Sequence, residues 1–105
     1  MKIQTPTEFL TFGDGLCDIY SVKGNQRDTK LLTLCYGDRT VGMKRYYAAR
    51  AATVQIDRLI QVPQQRSIEA IHRAVIDGAE YRIEQVQHID DTNPPATLLT
   101  LRKVG

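Results

Sequence analysis

Apolar residues in this chain fall into short runs of strand length, set apart by polar and turn-forming clusters. Residues 1–11 are polar, with a proline at Pro6, and residues 1–13 read as a flexible arm. The following LCDIYSV predicts a strand near Leu16 to Val22, and KLLTLCY predicts a second over Lys30 to Tyr36, with the polar KGNQRDTK as the loop of a hairpin. Val54, Ile56, Arg58, Ile60 and Val62 recur with period two, as a half-buried strand requires. Leu59 falls on the other face, and Pro63 ends the run. After the polar connection QQRSIEAI, the pair Asp77-Gly78 lies between apolar arms. A type I′ turn needs positive φ at both central residues, which Asp tolerates and Gly accepts freely, so a two-residue hairpin is expected there. Tyr81 and Ile83 share one face of its second arm, and Val86 breaks the phase. Either a bulge near Glu84 or Gln85 or a strand burying opposite faces in its two halves accounts for that break. HIDDTNPPA reads as a loop, and ATLLTLRKV as the last strand.

Between the second and third of these strands the pattern changes. Met43 to Ala52 holds Met, Lys, Arg and Ala, good helix formers, and predicts a short helix or a structured loop. The expected fold class is therefore mainly β, a small six-stranded β-barrel with long loops and one short helix. A barrel is preferred to an open sheet because closure removes edges that so short a chain has little else to cover.

A chain of 105 residues suits one domain. Its 14 Lys+Arg against 12 Asp+Glu leave a net charge of only +2, too small to mark a nucleic-acid or membrane protein without local clustering. The beginning lacks an apolar run of signal-peptide length, and no stretch approaches the ~20 apolar residues of a membrane span, so a soluble protein made in a cytoplasm is expected. Cys17 and Cys35 are too few for a disulfide framework and are expected as free thiols, buried on neighbouring strands.

Candidate chemistry is sparse. His72 precedes the strand into the Asp-Gly turn and His88 ends the strand out of it, so the two are placed to face each other; a metal site would need both cysteines as well. The glycines match neither a dinucleotide fingerprint nor a P-loop, and Asp90, Asp91, Thr92 and Asn93 lack the glycine and distal Glu of a calcium loop. No enzyme, cofactor or metal is therefore expected. The cluster Lys44, Arg45, Tyr46, Tyr47 and Arg50 interleaves cations with aromatics. It suits a solvated face with one buried Tyr, a protein interface, or phosphate contact with base stacking.

The stretches DRTVGMKRYYAARAATVQIDRLIQVP and IDGAEYRIEQVQHIDDTNPPATLLTLRKV resemble the small head-closure, or head-tail joining, proteins of tailed bacteriophages, in the form found in phages and prophages of Gram-positive bacteria. The likeness covers roughly Lys30 to Gly105; the first third lacks the family's usual opening. It implies a β-barrel subunit that forms a ring with copies of itself beneath the portal and adaptor of the filled capsid, retains packaged DNA and docks the tail. The family's long lumen loop corresponds to Gly37–Ala52, which makes Arg39, Lys44, Arg45, Tyr46, Tyr47 and Arg50 the residues expected to meet partners or, without sequence specificity, the packaged DNA. No membrane and no small-molecule substrate are implied. The implied location is the virion, reached from the cytoplasm of the host during assembly. The alternative is a small β-barrel nucleic-acid-binding protein.

Overall fold

The computed structural model describes residues 10–39 and 57–104. Six antiparallel strands follow one another: β1 (Gly15–Lys23), β2 (Gln26–Asp38), β3 (Arg58–Pro63), β4 (Arg73–Ile76), β5 (Ala79–Ile89) and β6 (Ala96–Lys103). Their hydrogen-bonded order is β1-β2-β3-β6-β5-β4, and β4 pairs again with β1, so the sheet returns on itself. No helix occurs among the described residues; the short helix expected over 43–52 lies outside them, as do Val54 and Ile56. No helix of the described residues is long and apolar enough to cross a membrane.

Period-two alternation builds the interior. Cys17 and Ile19 of β1, Ile60 and Val62 of β3, Ala74 and Ile76 of β4, Tyr81 and Ile83 of β5, and Leu99 and Leu101 of β6 are all buried in one cluster. Ile68, inside a connection that reads as polar, is only 2% exposed and joins that cluster. Its neighbour Ile71 is 71% exposed.

The β1–β2 and β4–β5 hairpins each turn on two residues at positive φ. Asp77 (φ 51) and Gly78 (φ 80) form the turn expected from the sequence. The loop expected over KGNQRDTK is shorter than its polarity suggests: only Gly24 (φ 60) and Asn25 (φ 66) turn, and Gln26 to Lys30 belong to β2. Those strand residues are exposed, so they carry no apolar alternation to mark them. The phase break in β5 is a bulge at Glu84. Ile83 pairs with Leu101 and Gln85 with Thr100, which brings Val86 opposite the buried Leu99 and against the core.

Only one thiol is buried. Cys17 is fully enclosed, whereas Cys35 is exposed opposite Leu16, which is itself 60% exposed. Leu34 and Tyr36 pack toward the interior from β2, and alternation turns Cys35 outward between them.

Of the arm expected over residues 1–13, the described part is held in place. Leu10 is buried and its N–H donates to the Asn93 carbonyl (3.1 Å). The Gln61 amide donates to the Thr11 carbonyl (2.8 Å). Next to it, Asp14 donates from its backbone to Tyr36 O (2.9 Å) and accepts from the Asp38 N–H at Oδ2 (2.7 Å).

Candidate interaction site

The segment between β2 and β3 departs and returns at one end of the closed sheet. Pairing of β2 with β3 is short, Gly37 with Gln61 and Asp38 with Ile60. Beyond it the Arg39 N–H donates to the Leu59 carbonyl (2.7 Å), so Arg39, half-buried, is the last described residue before the segment leaves. On the return, Asp57 donates its N–H to Leu101 O (2.9 Å) and its Oδ2 accepts the Lys103 N–H (2.6 Å). Of the six residues expected to form the site, the structure therefore places Arg39; Lys44, Arg45, Tyr46, Tyr47 and Arg50 lie outside the described residues.

Arg58 joins the two anchors. Its Nη2 donates to the Tyr36 hydroxyl (3.2 Å) and to Asp38 Oδ2 (3.4 Å). Its guanidinium carbon lies 5.2 Å from the Tyr36 ring centre and 6.0 Å from that of Tyr81. Burial alone would lower its pKa; hydrogen bonds to the Tyr36 and Tyr81 oxygens outweigh that and hold it above the ordinary arginine value. Arg58 is the polar member of the period-two set that includes Ile60 and Val62, so it enters the end of the interior on the core-facing side. A cation at a core position of an alternating strand was the signal for this clamp. Without the register, its tyrosine partners were not legible.

The two histidines do not meet. His72 Nδ1 accepts the Glu69 N–H (3.1 Å), whereas His88 Nδ1 lies 2.9 Å from the Thr97 hydroxyl, beside β6. His72 continues β4 one residue before the Arg73–Arg82 pair, and His88 lies past the bulge, where β5 pairs only with β6. No group of three or more His, Cys, Asp or Glu among the described residues is arranged to hold a metal. Cys17 is a poor nucleophile: desolvation, then the Asp18 carboxylate, push its thiol from 9.0 up to about 12.

A second charged feature, not anticipated from the sequence, lies on the outer face. Arg73, Arg82 and Arg102 stand in register across β4, β5 and β6.

No protein-family model matches the chain, and no curated protein matches it.

Proposed function

We propose that the chain is a structural subunit of a phage head-tail connector, a small β-barrel whose long β2–β3 segment, with its short helix, faces the lumen of a ring of copies. The carrying observation is the anchoring of that segment. It leaves the strands at Arg39 and returns at Asp57, with Asp38, Tyr36 and Arg58 bonded together at its base. A firm base lets a long insertion present side chains to a neighbour without loosening the strands that carry it. The sequence resemblance assigns the same segment to the lumen. In this reading the ring sits beneath the portal and adaptor, retains packaged DNA and offers the tail its docking surface, with Tyr46, Tyr47 and Arg50 as contact anchors.

Capsid complementation with Tyr47→Ala/Arg50→Ala tests the reading. The variant subunit should melt within about 0.5 kcal/mol of the parent in stability, as surface changes usually do. Capsids carrying it should lose DNA or fail to accept tails. A normal phage yield refutes the assembly role, and collapse of the melting transition returns these residues to the core.

A further inference from the structure

The outer face of β4, β5 and β6 carries three arginines side by side. Arg73 is the registered partner of Arg82, and Arg82 is that of Arg102, so the three side chains share one face of adjacent strands. Arg73 is buried and satisfied: it bonds to Glu80 Oε2 at 2.7 Å and to Asn25. Arg82 and Arg102 are exposed, and neither guanidinium has an ion pair or a hydrogen bond among the described residues. With Lys103 and Val104 they line an open concavity of about 300 Å³. Arg82 also borders a second hollow of about 430 Å³, beside Asn25 and Arg73.

Nearby carboxylates make no ion pair with Arg82 or Arg102 among the described residues. Glu80 is taken by Arg73 and approached by Arg27 at 3.9 Å. Asp57, next along the row past Arg102, spends Oδ2 on the Lys103 amide. Glu84 is two residues from Arg82 on β5 and makes no ion pair with it.

Like charges directly opposite one another in an antiparallel pair destabilise it. Setting Arg82 against Arg102 is therefore a cost to folding, which a bound anion offsets. The guanidinium is a planar fork that grips phosphate oxygens in pairs. Adjacent strands lie about 4.8 Å apart, so neighbouring forks on long, splaying side chains can meet successive anionic groups of a chain. We propose that this row is a binding site for phosphate groups arrayed in a line, as in a nucleic-acid backbone or a free polyphosphate. The site is argued from its own geometry and rests on no reading of the β2–β3 segment.

The test is fluorescence anisotropy of the full chain with labelled single-stranded and duplex DNA of mixed sequence, across a salt series, with inorganic tripolyphosphate as competitor. Each neutralised duplex phosphate contributes about −0.9 to the slope of log affinity against log salt, so Arg82→Gln/Arg102→Gln should flatten that slope by about 1.8. Arg66→Gln, an exposed arginine paired with Asp90 elsewhere on the surface, should leave it unchanged. The double variant should melt at or above the parent temperature, because a repulsive pair has been removed; a structural role predicts a lower one. DNA binding with that loss of slope supports a nucleic-acid backbone as the source of the phosphates. Binding of tripolyphosphate alone, lost in the double variant, supports a free polyphosphate. Binding of neither, a slope unchanged in the double variant, or capture of polyglutamate without phosphate ligands overturns the proposal.

Discussion

A methyl group added at Gly37 would run into the Thr11 carbonyl oxygen and lie 2.9 Å from Nε2 of Gln61, the two partners of one hydrogen bond. Neither has room to yield, since one is backbone and the other is held by that backbone. Gly37→Ala should therefore destabilise the fold by about 1–3 kcal/mol, the usual range for overpacking, as read from the midpoint of urea unfolding. Gly13→Ala, with open space around the new carbon, is the control and should change little. The thiols make a second test at this scale. Cys17 is enclosed and pushed up to about 12, whereas Cys35 is exposed, so a thiol reagent should consume one equivalent in the native protein and the second only after denaturation. Because the folded-state value is raised, the proton is held more tightly by the native form. The stability this contributes is intact below 9.0 and is lost as pH climbs toward about 12, by at most about 1.4 kcal/mol per pH unit. Cys17→Val should flatten that alkaline decline; a decline of unchanged steepness would assign it to other groups.

Among the elements, the β1–β2 hairpin depends on β4 for its position. Its turn residue Asn25 accepts hydrogen bonds from Arg73 through O and Oδ1 at 3.4 and 3.3 Å, and Arg27 stacks over the Tyr20 ring at 4.8 Å. The Arg73 side chain is 8% exposed and the Glu80 side chain 26%, so removing the cation leaves that carboxylate only the more distant Arg27, at 3.9 Å, and partial access to water. Arg73→Ala should cost about 2–3 kcal/mol, below the full penalty of a broken buried pair because of that partial access. Amide exchange should accelerate at the hairpin tip, from Gly24 to Arg27, before it does in β6. If the tip keeps its protection, Arg73 is not what pins it. Elements were legible where the chain had to commit locally. The Asp77-Gly78 turn demands positive φ, and the change of phase between Ile83 and Val86 requires the bulge seen at Glu84. Gln26 to Lys30 were not legible as strand, because both faces of that stretch meet solvent and no alternation is imposed on it. Ile68 was missed for the opposite reason: a single apolar residue in a polar connection has no period. The polar cluster at the base of the β2–β3 segment was legible only as Arg58, a cation on an otherwise apolar face of its strand. The Arg73, Arg82 and Arg102 row was not, because residues spread from 73 to 102 are joined by register alone.

For the whole molecule, closure rests on unequal seams. Among the described residues, β3 and β6 share six registered pairs, from Arg58–Leu101 to Pro63–Ala96, whereas β2 and β3 share two. The short seam also lies where the segment to Asp57 departs, so it is where the closed sheet is most easily opened. Residues 10–14 reinforce that seam from outside. Thr11 accepts from Gln61 on one side, Asp14 is bonded to Tyr36 and Asp38 on the other, and Leu10 is buried beyond them with its N–H on the Asn93 carbonyl. Gln61 is 7% exposed, so loss of Thr11 would leave its amide buried without a partner. A chain starting at Asp14 should accordingly be less stable than one starting at Leu10 by about 2.5–6 kcal/mol, combining about 1.5–3 kcal/mol for a buried leucine with about 1–3 kcal/mol for an unsatisfied amide. The loss should be local before it is global, with exchange rising first at Tyr36 to Arg39 and at Ile60 and Gln61, while the β5–β6 pairs stay protected. Gln61→Leu in the shorter chain replaces the stranded amide with an apolar side chain and should recover part of the loss. Equal stability of the two chains would mean that the two-pair seam closes the sheet without help from the residues that cross it.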